Sequence, residues 1–579
     1  MNRQKTMGKG RLYFLFPLFF ILIAVIIARL FYIQIEKHEY YSQLAEKQHL
    51  SKTILQAKRG KIFFSDEFNI LASNQGMEKI AVAPREVEDT QELARELSLV
   101  LKVDKKEILA KISNKSDPWI EIGEIPIEKA DSLYNIKGLH FESDFKRYYP
   151  QKEIAAHIIG FLNKEKVGQY GIESYYDKEL KGADGFWRGI VDAKGRKILS
   201  PFNKIQDPVD GDELVLTLDF NIQLFIEDKL KEIMKKYGAK GGTIIVSRPK
   251  TGEILGAASL STFSKLKIFD PNEYNLVKKE DMDVFKNPAI TIAFEPGSIF
   301  KPITMAAALE EKVLTPQTTY IDKGEVKIGK YVIKNSDLKA HGKKTMTEVL
   351  ELSLNTGAVF AQQELGGAKF TEYVKKFGFG EKTNVDLSGE VPGNIKNILE
   401  PPSREKLIEY ANASFGQGIS VTPIQIIQAF SAIANQGKMI KPYIVKKVIH
   451  PDGTSEEIKP EIISSVISPE TALRLTAMMV SAVKNGYGKK AGVEGYLIAG
   501  KTGTAQAPWS YFGIQKKGYS DKTIQSFINF APAFNPEFLL FLKMEGQTKG
   551  PRFSADSLAP IAKEINQYLF NYFGISPEE

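Results

Sequence analysis

Apolar positions recur along the chain with three different spacings, and each spacing predicts its own kind of element. Leu12 to Ala28 is apolar throughout apart from Tyr13 and Pro17, and after Arg29 the apolar character resumes in Leu30-Phe31-Tyr32-Ile33. Counted to Ile33, the run has the length of one membrane-spanning helix. Residues 34 to about 50 read as a polar-faced helix leaving it. Lys58 to Phe64 and Ile70 to Asn74 flank the polar stretch Ser65 to Asn69, which predicts a hairpin. From Thr90 to Asn114 the pattern is helical, at Leu93, Leu97, Leu99, Val100, Leu101, Ile108, Leu109 and Ile112. Shorter apolar runs, Trp119 to Ile122 and Leu139 to Phe141, then alternate with turns.

Beyond a loop-like stretch at Asp207 to Gly211 the pattern changes. Leu214 to Asp219 predicts a strand, and Ile222, Leu224, Phe225, Leu230 and Ile233 predict a helix over Asn221 to Tyr237. Gly242 to Val246 and Gly252 to Ala257 flank Pro249-Lys250-Thr251 as a hairpin. A run at Gly495 to Gly500, another at Gln525 to Phe530 and a third at Pro536 to Leu542 supply three more strands. Five strands joined largely by hairpins predict one antiparallel sheet with helices packed on it, and a helical lobe between Ser298 and Val480. A last helix is expected from about Ser557 to Phe573. The fold class is thus multi-domain α+β: a tail over 1–11, a transmembrane anchor over 12–33, a β-rich pedestal over 34–205 and a second domain over 206–579.

Composition narrows the function classes. At 579 residues the chain needs several cores. The net charge of +8 comes with acidic and basic residues interspersed, which argues against nucleic acid. No cysteine is present, so disulfides, thiolate metal sites and a cysteine nucleophile are excluded. The histidines (His38, His49, His140, His157, His341, His450) show no pair at helical spacing, and neither a metal nor an organic cofactor is expected. Arg3, Lys5, Lys9 and Arg11 precede the apolar run without an acidic residue, which places the N-terminus in the cytoplasm and the remainder outside. A cleaved signal peptide is the rival, but no small-x-small cleavage pattern follows.

The chemistry centres on Phe294-Glu295-Pro296-Gly297-Ser298-Ile299-Phe300-Lys301. If a helix starts at Ser298, Lys301 lies on the same face and a neutral amine there is a base for the hydroxyl. One serine three residues before a lysine is common on solvated helices. Two further elements change its weight: Ser353-Leu354-Asn355 in an apolar context, and Lys501-Thr502-Gly503-Thr504 after the run at Gly495 to Gly500. Taken singly, Ser353 and Asn355 can cap or pack a helix, and Thr502 and Gly503 can be strand-end residues.

Together these elements resemble the active-site set of class B penicillin-binding proteins, membrane-anchored peptidoglycan D,D-transpeptidases, in particular those of the division type. Arg59-Gly60, Arg147-Tyr148-Tyr149-Pro150, Gly171-Ile172-Glu173, Thr217-Leu218-Asp219, Thr251 to Leu255 and Phe415-Gly416-Gln417-Gly418 extend the resemblance over nearly the whole chain. It departs at Ser65 to Asn69, where the family usually has an Asp-Arg-Asn-Gly turn, and at Asn529, where a glycine is usual. The resemblance implies Ser298 as nucleophile, Lys301 as base, Ser353 as proton relay, Asn355 as positioning group and Lys501 as partner of the substrate carboxylate. It implies substrate contacts from Thr502, Gly503 and Thr504, with backbone N–H groups of Ser298 and Thr504 as oxyanion hole. It also implies stem peptides and β-lactams as ligands and a SEDS-family glycan polymerase as membrane partner. A β-lactam hydrolase, a D,D-carboxypeptidase, an elongation-type enzyme and an idle scaffold share some or all of these motifs.

Overall fold

The structure is a computed structural model that describes residues 9–41, 50–191, 198, 203–262, 264–401, 403 and 406–578. The apolar run forms a helix, Lys9–Phe31, that tolerates Pro17 inside it and ends beside Arg29. A π-helical turn, Tyr32–Glu36, continues it. The span Phe16–Glu36 has a mean hydropathy of 2.5 and no part of it is buried against protein. Twenty-odd residues at a rise of about 1.5 Å each cross the hydrocarbon of a bilayer, and a helix apolar on every side needs such a medium. Of the helix expected from 34 to about 50, His38 to Tyr41 is helical, and 42–49 lie outside the described residues.

The chain divides into two compact units, Met1–Lys58 with Gly182–Asp210, and Arg59–Lys181 with Gly211–Glu579. The first carries the apolar helix and a three-stranded sheet, in which Gly185–Ile190 lies between Leu50–Leu55 and Lys204–Gln206.

In the second unit the expected hairpin joins Ile62–Phe63 to Ile70–Val82. Its turn is closed by Asp66, whose carboxylate accepts the N–H groups of Phe68 and Asn69 at 2.9 Å each, an aspartate turn in place of the glycine turn usual in the family. The long strand Ile70–Val82 pairs further with Ile120–Pro126 and Leu139–Tyr148. The helical pattern from Thr90 to Asn114 is two helices, Thr90–Leu101 and Lys105–Ile112. Lys102 turns left-handed at φ 57° and ends the first, while the Asp104 carboxylate accepts the Lys106 N–H and starts the second. Three family motifs distant in sequence meet here. Glu173, fully buried, takes the Arg59 guanidinium on one carboxylate oxygen and the Arg147 guanidinium on the other, at 2.7 Å each.

The five-stranded antiparallel sheet is present. Its strands are β1 (Gly241–Ser247), β2 (Ile254–Leu260), β3 (Ala499–Pro508), β4 (Tyr519–Ala531) and β5 (Phe538–Glu545), in the order β2-β1-β5-β4-β3. Alternate residues face different cores. Ile244, Val246, Leu540 and Leu542 pack with α1 (Phe220–Tyr237) and α5 (Ser554–Tyr572), whereas Ile245, Leu539 and Phe541 face the helical lobe. Burial on both faces explains why these strands read as unbroken apolar runs. Asn529 on β4 donates to Asn566 on α5 at 3.0 Å, a sheet-to-helix contact that glycine lacks.

Two expectations are corrected. Lys501 to Thr504 lies inside β3, not after a strand at 495–500, because pairing sets the register: Lys501 stands opposite Ile528 and Thr504 opposite Gln525. The helical lobe holds α2 (Lys301–Glu310), α3 (Met346–Glu351) and α4 (Asn355–Leu365), but also a strand insert that the apolar pattern did not reveal. In it Thr319–Asp322 pairs with Gly342–Thr345, and Glu325–Ile328 with Tyr331–Lys334. The last helix starts at Ser554, three residues before the expected point.

Candidate active site

Ser298 sits on a turn held from both sides. Phe294 exchanges N–H···O bonds with Val421, and the Gly297 N–H donates to the Gly416 carbonyl at 3.0 Å. Gly297 takes φ 59°, where a side chain is strained and its Cβ would stand 3.0 Å from that of Ala505. The α-helix begins at Lys301, and Gly297–Phe300 is a 3-10 turn ahead of it. In such a turn residues i and i+3 eclipse, so the sequence argument for Ser298 and Lys301 carries over to this geometry.

Lys301 is 1% exposed at the start of a helix whose other residues are apolar except Thr304 and Glu310. Its Nζ donates to the Ser353 carbonyl and, at 2.9 Å, to Asn355 Oδ1, and stands 3.3 Å from Ser353 Oγ. A neutral amine has two N–H groups and one lone pair. The two carbonyl oxygens engage both N–H groups and leave the lone pair for a hydroxyl proton. Burial, and then the neighbouring Lys501 charge, hold this amine well below the usual lysine range.

Ser353 joins α3 to α4 in the left-handed region at φ 54°, a conformation that costs a non-glycine residue energy and that persists where surrounding contacts dictate it. Its Oγ accepts from Lys501 Nζ at 2.9 Å, so this hydroxyl lies between the two amines. Lys501, 2% exposed, also donates to the Thr502 carbonyl at 3.1 Å, and burial pulls its pKa down to about 7. Gly503 is required by close approach: a Cβ there would lie 2.4 Å from Ser526 Oγ and 2.8 Å from Ile299 Cγ2. The Thr504 hydroxyl accepts the Ser554 N–H at 3.1 Å and ties β3 to the start of α5.

A cavity of about 530 Å³ opens on this cluster and is lined by Ser298, Ser353, Asn355, Thr502 and Thr504 among others. Lys301, Lys501 and Gly503 are buried behind that wall. All eight residues singled out in the sequence therefore meet in one place. Sequence reasoning missed Glu295, whose carboxylate accepts from Tyr519 and from the Gly418 N–H and is pushed up to about 7 by burial. It also missed Asn335 and Asp322, which brace Asn355. Neither belongs to a short motif with a chemical signature.

Residues 242–567 match the penicillin binding protein transpeptidase domain, and residues 54–216 the penicillin-binding protein dimerisation domain. Stage V sporulation protein D of Bacillus subtilis is 34% identical over all of this chain and 88% of its own length. Peptidoglycan D,D-transpeptidase FtsI of Buchnera aphidicola is 28% identical, over 98% of this chain and 96% of that protein. Among solved structures, penicillin binding protein 2X of Streptococcus thermophilus superposes with a TM-score of 0.75 at 24% identity, over 90% of this chain and 80% of that one, a likeness of fold. The chain belongs to the penicillin-binding protein family, as a class B peptidoglycan D,D-transpeptidase.

Proposed function

We propose that the chain cross-links peptidoglycan stem peptides through an acyl-serine intermediate, and that penicillin traps the same serine. The observation that carries this is the buried Lys301 amine, held by the Ser353 carbonyl and Asn355 Oδ1 and 3.3 Å from Ser353 Oγ. Ser298 Oγ attacks the carbonyl between the two terminal D-alanines while its proton passes to Lys301. The developing oxyanion is held by the backbone N–H groups of Ser298 and Thr504, donors worth roughly 3–4 kcal/mol each in hydrolases. Lys501 with Thr502 binds the terminal carboxylate of the donor, and Gly503 lets the strand approach it. The D-alanine amine leaves with a proton relayed through Ser353, whose Oγ lies 2.9 Å from Lys501 and 3.3 Å from Lys301. An amine from a second stem peptide then attacks the ester, and the proton it gives up passes through Lys301 to Ser298 Oγ as the serine leaves, which restores both groups. Asn355 holds Lys301 and the substrate amide throughout.

The boundaries that go with this reading are a cytoplasmic tail over 1–11, an anchor over 12–33, a pedestal over 34–205 and a catalytic domain over 206–579. The basic residues ahead of the anchor support a single-pass placement in the cytoplasmic membrane with the catalytic domain outside. Septal rather than lateral synthesis is favoured by the likeness to FtsI across 98% of the chain. A glycan polymerase of the SEDS family, docked through anchor and pedestal, is the partner this role requires.

The test is turnover of a pentapeptide ending in D-Ala-D-Ala, with an amino-acid amine as acceptor, by the full chain in detergent. The parent is expected to release D-alanine and form the new amide, and Ser298→Ala to do neither. Release of D-alanine without new amide would replace transpeptidation by carboxypeptidation, and an inactive folded parent would leave the scaffold reading.

A further inference from the structure

α4 starts without a cap of its own. Its first residue is Asn355, and the position before it is Leu354, whose side chain has no acceptor. The first N–H groups of a helix need partners from elsewhere. Here they come from Asn335, twenty residues earlier in the strand insert. Asn335 Oδ1 accepts the N–H of Asn355 at 3.0 Å and that of Thr356 at 3.3 Å.

Asn335 is itself held. It is 2% exposed, and its Nδ2 donates to both oxygens of Asp322, at 3.1 and 2.9 Å, and to the Lys339 carbonyl at 3.2 Å. Asp322, also 2% exposed, accepts in addition the Thr356 hydroxyl at 2.8 Å, the Gly324 N–H at 2.9 Å and the His341 N–H at 3.0 Å. The same insert grips the Asn355 side chain, whose Nδ2 donates to the Lys334 carbonyl at 2.8 Å. With its amide group committed on that side, Asn355 presents Oδ1 to Lys301 Nζ at 2.9 Å.

We propose that Asn335, braced by Asp322, is a positioning residue for acylation: it fixes Asn355, and through Asn355 the amine of Lys301. The insert is thereby part of the working site although it supplies no atom to the reaction. This inference rests on the acyl-serine chemistry proposed above. An ordinary helix cap would affect stability alone, whereas this one sits one side chain from the base. If Asn355 turns away, cleft water reaches Lys301 and relieves the burial that chiefly depresses its proton affinity. Lys501 is the one charged group that acts on Lys301 among the described residues, and it is untouched by changes at Asn335.

The experiment measures the second-order rate of acylation by a fluorescent penicillin, as a function of pH, on the full chain in detergent micelles, with thermal unfolding alongside. Asn335→Ala is expected to slow acylation about 10- to 100-fold at neutral pH, a loss of the order seen when a group is misplaced near the chemistry, and to move the acid limb of the profile to higher pH. Asp322→Asn/Asn335→Asp restores a carboxylate–amide pair in reverse order and is expected to recover part of the rate that Asn335→Asp alone loses. The proposal is overturned if folded Asn335→Ala acylates at the parental rate with the parental profile. It is equally overturned if the loss tracks the unfolded fraction and the paired variant recovers nothing. A folded parent that forms no acyl-enzyme would overturn the acyl-serine reading instead.

Discussion

Lys501 carries two opposing demands on one side chain. In the proposed mechanism its charge serves the substrate carboxylate, and that charge also lowers the proton affinity of Lys301, yet burial draws its own pKa down to about 7. In the unfolded chain a lysine titrates near 10.5, so between about 7 and 10.5 the unfolded state binds the extra proton and stability rises with pH. Below about 7 both states hold the proton and the full cost of the buried cation remains. Lys501→Met removes that cost. It is expected to raise the melting temperature at pH 7 by about 2 °C or more while abolishing acylation, as happens when a site group is retained against stability. Equal or lower stability in a calorimetric scan at pH 7 would contradict the assignment of Lys501 as a strained buried cation. Ser353 shows the same trade in its backbone, held at φ 54° between the two amines.

The elements differ in how legible they were. Ser298 and Lys301 could be paired from sequence because they are neighbours three residues apart on one turn, in which the Lys301 backbone N–H donates to the Ser298 carbonyl, and residues i and i+3 share a side of a 3-10 turn as they do of an α-helix. The central strands β1, β2 and β5 were legible as apolar runs because both of their faces are covered. The position of Lys501 within β3 was not, since register is decided by β4 rather than by the residues of β3. The break at Lys102 hid inside one continuous helical pattern, and Asn335 hid because neither it nor Asn355 is unusual alone. The Arg59, Arg147 and Glu173 motifs could be seen one by one, but the ion cluster they form could not. That cluster supports a prediction at this scale. Glu173→Ala would leave two largely buried guanidinium groups without their shared carboxylate, at an expected cost of about 3–5 kcal/mol. Denaturant unfolding measures it, and a loss below about 1 kcal/mol would mean that water already serves those groups.

Across the whole molecule the chemistry is assembled from distant segments. The proposed nucleophile and base come from one helix start, the proposed relay from a strained link between α3 and α4, the second amine from an edge strand, and the brace for Asn355 from the strand insert. An apolar helix at the other end of the chain has the length to hold the enzyme at a bilayer. These parts make a common claim, that Ser298 is made nucleophilic by Lys301 and carries the acyl group. The most direct measurement is intact-protein mass spectrometry of the full chain after exposure to penicillin, beside Ser298→Ala and Lys301→Ala. One stable penicillin adduct on the parent, none on Ser298→Ala and at least about 100-fold slower labelling of Lys301→Ala is the predicted result. An adduct that persists in Ser298→Ala, or parental labelling of Lys301→Ala, would contradict it.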